Sequence, residues 1–408
     1  MDPDHGAHRK LDLPDGFSLY FPLPYRVALI LVAGVWGWGL NLHYLSAVKI
    51  DVPALIRYPS RSSANQVPVY RSTYHLATLL SVPLFISLLF FWAVTHGSAE
   101  RVVDWEIIPQ TYLFLFFVLL ILPLHRLSRS GRHRFLVALK RVCVGGLAEA
   151  NDGKFGDIIL ADVLTSYSKI LGDLFVSACM FFSSDASSTG IPNRGCGGQI
   201  AVPLLTAVPF IIRLRQCLIE FRRVRRGNRS TDGWGGQHLA NALKYASAFP
   251  VIIFTAWQRN HDPSTSSMSA ESLYRLWVLS ALVNSLFSFY WDVAKDWDLT
   301  LFYALNHPHD PEHPFGLRRH RYFHANQMYY SAIIIDLLLR FTWLSRLSTR
   351  LDRVNGIEGG VFVLMFLEVI RRWMWIFFRV ETEWVRNNRG PAPDDILLGD
   401  FGGKLDED

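Results

Sequence analysis

Charge is scarce in this sequence. Asp, Glu, Lys and Arg make up 19% of its 408 residues, against about 25% in an ordinary soluble domain. Cysteine is rarer, with four residues in all. The first 23 residues contain no basic stretch running into an apolar core, so no cleaved signal peptide is expected and the first span must itself direct insertion. H-E-x-x-H, G-x-S-x-G and a Walker loop are all missing, which argues against a hydrolase or an ATP-driven pump, and no enzyme activity is expected. Zinc-finger and RNA-binding spacings are missing too. The net charge of +6 resides mostly in loops, so it does not point to nucleic acid.

What the chain has instead is apolar bulk: half its residues are hydrophobic, with 13 Trp and 28 Phe, and they fall in long runs. This predicts an all-α, polytopic membrane helical bundle. Nine spans are read at 25–45, 74–95, 108–124, 158–182, 200–212, 238–257, 273–299, 329–345 and 360–380. Lys and Arg crowd the connections at 125–157 and 213–229, whereas those at 96–107, 183–199 and 258–272 hold only Arg101, Arg194 and Arg259. The positive-inside rule then places the two basic connections in the cytosol, the N-terminus in the lumen and the C-terminus in the cytosol.

Several smaller readings follow from this topology. Cys179 and Cys196 flank the 183–199 loop on the oxidising side, where a disulfide would persist. A bridge is the favoured reading and two unpaired thiols the alternative, because spacing carries no distance. Residues 128–144 alternate basic and apolar and suit an amphipathic helix lying on membrane lipids, or else an ordinary positive-inside loop. The sequon at Asn228 falls in a cytosolic loop and is expected to stay unmodified. The run from His307 to His313, with His320 and His324 nearby, fits no zinc pattern and reads as solvated loop, so no metal or cofactor is expected. The tail, 387–408, is acidic and reads as flexible.

The informative residues are the ionisable ones inside the spans, since a charge at mid-membrane costs about 2.5–3.5 kcal/mol on insertion scales. Asp162, Ser166, Lys169 and Asp173 share one face if 158–182 is a continuous helix. Lys244 and Tyr245 lie in the sixth span, and Asp292 and Asp296 stand one turn apart in the seventh. Asp336 and Arg340 pair at i,i+4 in the eighth, with Trp343 following. In the ninth, Glu368, Arg372, Trp375, Arg379 and Glu383 line one face, beside Arg371. Asp336–Arg340 and Glu368–Arg372 can each close as an ion pair within one helix. Charges on five helices nevertheless read as a polar pathway rather than as glue. Arg suits bidentate capture of an oxyanion, and carboxylates can accept the hydroxyl of a protonated one. The combination favours phosphate over chloride.

In order, the segments ADVLTSYSKILGDL, PFIIRLRQCLIEFRR, HLANALKYASAFP, FYWDVAKDWDL, LLLRFTW and LEVIRRWMWIFFRVETEW resemble the EXS domain, the membrane half of eukaryotic phosphate exporters. The resemblance is clear over 155–386 and looser before it. It divides the chain into a short tail (1–24), N-terminal transmembrane helices with the amphipathic connection (25–154), an EXS-type transport domain (155–386) and the C-terminal tail (387–408). It implies a helical phosphate pathway, with a dimer as the usual assembly. It also implies that Asp162, Lys244, Tyr245, Asp292, Asp296, Arg340, Arg371 and Arg372 hold phosphate, and that Trp343 and Glu368 gate it; Trp375 and Arg379, which share the helix face of Glu368, are read from that spacing as part of the same gate. Cys179 and Cys196 also match the family. Only about 24 residues precede the first span, whereas the exporters carry a cytosolic SPX sensor there. The layout is similar to the fungal Golgi members, which are associated with returning phosphate from the lumen to the cytosol and with retention of ER and Golgi residents. The ER and plasma membrane are the alternative locations. A sorting adaptor whose basic cytosolic loops bind glycosyltransferase tails or coat proteins is the rival reading.

Overall fold

The computed structural model describes residues 14–57, 68–122, 129–149, 152–183, 187–226, 235–263, 268–299, 314–323, 325–347 and 358–388. The His307–His313 run, His324, the Asn228 sequon and the tail beyond Asn388 lie outside them. Twelve principal helices are labelled here: α1 Leu23–Ala47, α2 Val69–Thr95, α3 Ile107–Ile121, α4 Arg129–Lys140, α5 Lys154–Ser166, α6 Ser168–Phe182, α7 Ala201–Arg226, α8 Gly236–Ala246, α9 Ala248–Arg259, α10 Ala270–Trp291, α11 Asn326–Arg340 and α12 Glu358–Asn388. No strand occurs among the described residues.

Among the described residues, six helical stretches are long and apolar enough to cross a membrane: Leu23–Ala47, Val69–Thr95, Ala99–Ile121, Ala201–Arg226, Gly236–Arg259 and Ala270–Asp296. Their outward faces are apolar, with Leu89 60% and Phe114 67% exposed, as lipid-facing side chains must be. The sequence predicts three more spans, at 158–182, 329–345 and 360–380. The first is interrupted at Tyr167, the second leaves α-helical geometry after Arg340, and the third carries Glu368, Arg371, Arg372 and Arg379. The charge that lowers their hydropathy is the charge that builds the centre of the molecule.

The breaks have local causes. Pro250 offers no N–H to the Ala246 carbonyl and its ring crowds that turn, so the helix divides at Ser247 into α8 and α9. At the α5 end, the Thr165 hydroxyl turns back onto the Asp162 carbonyl at 2.7 Å, a bond that bends helices, and the chain restarts after Tyr167. This break corrects the expectation of a shared face. Asp162 and Ser166 point to the centre, while Asp173 pairs with Arg194 at 3.2 Å. A second correction concerns 213–226, read as a loop. Helix α7 continues to Arg226, because the Arg213 charge is met inside the protein rather than by water. The 128–144 stretch does form a helix, α4, followed by a π-helical turn at Arg141–Gly145.

Helix α12 lies against α1, α5 and α11. Its contact with α1 depends on Gly37: a Cβ there would come within 1.9 Å of the Trp373 ring. Gly37→Ala is therefore expected to cost about 1–3 kcal/mol through overpacking, read as a lower unfolding temperature in detergent. An unchanged temperature would mean the two helices have slack.

At the N-terminal end of α12, Glu358 receives Arg26 at 2.9 Å and Arg194 at 2.7 Å, tying α1, α12 and the 187–199 segment together. Cys179 and Cys196 are joined there by a disulfide, with S–S 2.02 Å. Toward the other end, Trp297, Phe323, Tyr329, Trp375 and Phe378 form the larger apolar core.

Candidate functional site

Ionisable side chains from five helices and one π-helical turn meet in the middle of the bundle. Asp162 on α5 accepts from Arg213 Nε on α7 at 2.8 Å and from the Tyr245 hydroxyl on α8. The Arg213 guanidinium also lies 4.8 Å over the Tyr245 ring and donates to Gln216 Oε1 at 2.6 Å. Lys244 Nζ stands 4.6 Å over the same ring.

Residues Asp292–Asp296 form a π-helical turn at the end of α10. The turn sets both carboxylates beside Lys244, whose Nζ is 3.8 Å from Asp292 Oδ1 and 3.8 Å from Asp296 Oδ2. Asp292 further binds Arg340 on α11 and Arg371 on α12, the latter at 3.2 Å. Arg340 Nε is 3.3 Å from Asp336, the expected i,i+4 pair, and Arg371 adds a 3.1 Å bond to the same carboxylate.

Glu368 does not close on Arg372, correcting the second within-helix pair. It takes a bidentate fork from Arg371, at 2.8 and 2.6 Å, and a hydrogen bond from Ser166 at 2.8 Å. Arg372 instead donates to Ser166 Oγ at 2.8 Å and Thr165 Oγ1 at 3.3 Å, and stacks 4.6 Å over Trp375. Among the described residues it has no carboxylate within ion-pair distance, although it is only 6% exposed. A buried cation so placed has unspent capacity for an anion.

The remaining expected residues sit around this cluster. Trp343 donates from Nε1 to Ser285 Oγ at 3.0 Å and packs edge-on against Trp277, so it walls the α10–α11 side. Trp375 is fully buried beneath Arg372. Arg379 bonds Glu383 at 2.9 Å, stands 3.9 Å from Asp296 and covers the Phe155 ring at 5.0 Å. A cavity of ≈ 950 Å³ opens toward the C-terminal ends of α7 and α12, with Arg213, Asp296 and Arg379 on its wall. Among the described residues, three buried polar atoms around this cluster have no hydrogen-bond partner: Asp292 Oδ1, Asn241 Oδ1 and Trp375 Nε1. Cys179 and Cys196 belong to the disulfide end rather than this cluster.

Arg213 is the member of this cluster that lies outside the sequence-based expectation, because an Arg that ends a mainly apolar run reads as the start of a basic loop. The signal was present. Arg213, Gln216, Cys217 and Glu220 recur at helical spacing, as one polar face does. Gln216 and Glu220 both turn inward.

This set of buried ion pairs falls within the stretch, residues 21–385, that matches the pattern described as the EXS family. The chain belongs to the EXS family. Protein ERD1 homolog 1 of Schizosaccharomyces pombe is 30% identical over 374 residues, covering 90% of this chain and 92% of that protein. Human Solute carrier family 53 member 1 is 26% identical over 379 residues, 89% of this chain but only 50% of that protein. SPX and EXS domain-containing protein 1 of Dictyostelium discoideum is 27% identical over 380 residues and extends well beyond them, the match covering 38% of its length. The EXS match takes in α1–α3 as well as the later helices, and the chain is a multi-pass membrane protein of this family.

Proposed function

We propose that this chain carries inorganic phosphate across the membrane. Arg372 is the observation that carries the reading. Its guanidinium is buried, bonded to hydroxyls rather than to a carboxylate, and within a helical turn of the Arg371 fork. An oxyanion is the ligand whose geometry matches two guanidinium groups. Lys244, Tyr245 and Arg340 complete the cationic side of the site. Asp162, Asp292 and Asp296 balance that charge, and a carboxylate among them accepts a hydrogen bond from a phosphate hydroxyl, a group that chloride lacks. Trp343, Glu368, Trp375 and Arg379 line the way in and out, with Arg379 at the inner wall of the cavity. Surrounding lipid is the only other partner this reading needs, although pairing of two chains is compatible with it.

The basic ends of the helices around the cavity suit the cytosolic side, and the direction proposed is from Golgi lumen to cytosol, as the likeness to the fungal Golgi members suggests. Returning phosphate in that direction would support glycosylation and, through it, retention of Golgi and ER residents. Reconstituted protein should take up radiolabelled phosphate, and Arg372→Ala should lower that uptake about 10-fold or more, the value of one charge-assisted hydrogen bond. Absent uptake, or an unaffected Arg372→Ala, removes the mechanism. Arg222, Arg225 and Arg226, exposed at the end of α7, are the surface an adaptor would use. An Arg372→Ala protein that loses uptake but still retains Golgi residents in cells would favour that second role.

A further inference from the structure

We propose that phosphate crosses together with one proton, carried on Asp296, so that each turnover moves no net charge. The inference rests on the phosphate reading above and deepens it.

Charge accounting at the centre comes first. Arg213, Lys244, Arg340, Arg371, Arg372 and Arg379 supply six positive charges. Asp162, Asp292, Asp296, Asp336, Glu368 and Glu383 supply six negative ones. These buried and half-buried charges sum to zero before any ligand arrives; Lys295, at the cavity mouth, is exposed and its charge is met by water. An entering H₂PO₄⁻ would leave one uncompensated negative charge in a low-dielectric interior, which a buried site does not sustain. A proton taken up with the anion restores neutrality.

Geometry singles out the carboxylate that takes it. Asp162 is held by Arg213 and Tyr245, Asp292 by Arg340 and Arg371, and Asp336 by Arg340 and Arg371. Glu368 holds the Arg371 fork, and Glu383 bonds Arg379 at 2.9 Å. Asp296 differs from all of these. Its nearest cations are Lys244 on α8 at 3.8 Å and Arg379 on α12 at 3.9 Å, both beyond hydrogen-bond length. Of the other groups around it, Asp292 and Asp162 are acidic, and Arg213 and Cys217 of α7 line the cavity beside it. Lys295 and Glu383 stand at the same cavity wall. Asp296 is thus weakly paired, next to other carboxylates, and open to water through the cavity.

The coupling follows from Lys244. While Asp296 is ionised, the ammonium is shared between Asp292 and Asp296. Once Asp296 takes a proton from water in the cavity, the ammonium loses one of its two partners and becomes available to phosphate. On release the proton returns to water on the exit side. One H⁺ and one H₂PO₄⁻ enter, and the same two leave.

The test is phosphate accumulation in proteoliposomes at equal pH on both sides, with the membrane potential clamped by potassium and valinomycin. Potential is the discriminating force, because a pH gradient accumulates total phosphate through speciation alone. An uncoupled H₂PO₄⁻ distributes about 50-fold per 100 mV, the value for one elementary charge. The wild type is expected to show no accumulation driven by potential, together with internal acidification, seen by a trapped pH dye, as phosphate enters. Asp296→Asn, unable to carry the proton, should let residual phosphate follow the potential. Wild-type accumulation that tracks the potential overturns the inference and leaves the phosphate reading standing. Absence of any phosphate movement overturns both. If Asp296→Asn moves phosphate but ignores the potential, another group carries the proton and the assignment to Asp296 fails. If Asp296→Asn is inactive, Asp296→Glu should restore potential-independent uptake, and its failure to do so also overturns the assignment.

Discussion

Arg371→Ala is expected to lower phosphate uptake by at least about 100-fold, more than any other single change at the site. Arg371 is 2% exposed and bonds three carboxylates on three elements: Glu368 through a fork, Asp292 at 3.2 Å and Asp336 at 3.1 Å. Removing it leaves those acids facing one another with Arg340 as the main counter-charge. Breaking a buried pair of this kind costs about 3–5 kcal/mol, which is two decades or more in a rate. Arg371→Lys should recover only part of the loss, because an ammonium is a point charge and cannot reproduce the planar fork. Initial uptake rates in proteoliposomes, alongside gel filtration to check assembly, are the measurement. Near-normal uptake by a well-assembled Arg371→Ala protein would take this residue out of the pathway.

Glu381→Ala is expected to destabilise the fold by about 3–5 kcal/mol, by the same logic applied to a structural pair. Glu381 has no exposed surface and accepts from Arg318, from the Tyr329 hydroxyl and from Tyr322 N at 2.7 Å. Arg318 also donates to the Trp297 carbonyl at 2.7 Å and to Thr382. This knot pins residues 314–323 and α11 to the far end of α12. Truncating Glu381 strands the Arg318 charge among Trp297, Phe323 and Tyr329. Thermal unfolding in detergent, followed by tryptophan fluorescence, should show a fall of several degrees. The pair Arg318→Met with Glu381→Leu should fall less than Glu381→Ala, since neither charge is then left buried alone. A Glu381→Ala protein as stable as wild type would mean that water reaches Arg318.

The contrast between Arg371 and Glu381 also explains what sequence reading could and could not find on α12. Both residues are acidic or basic positions in an apolar stretch, and spacing alone treats them alike. The structure places Glu381 in a knot away from the cluster, whereas Arg371 and Arg372 lie within it. Partner identity was harder. Periodicity made Glu368–Arg372 an i,i+4 pair, whereas Glu368 takes the i+3 Arg371 and leaves Arg372 to the α5 hydroxyls. That choice depends on where α5 lies. The α5–α6 break had no proline or glycine to announce it, so a continuous helix was the natural reading of 158–182, and it misplaced Asp173.

By itself the sequence determined an all-helical membrane bundle, its EXS membership and nearly every charged residue at its centre. It could do so because apolar runs, charge cost and motif order are properties of the chain read in one dimension. Tertiary structure alone decided which charges meet. It turned Arg213 from a loop residue into the partner of Asp162, set Lys244 between two carboxylates by means of a π-helical turn, and left Arg372 without a carboxylate. Ion pairs between helices are fixed by relative position and rotation to within an ångström or two, and no spacing along a single helix encodes that distance.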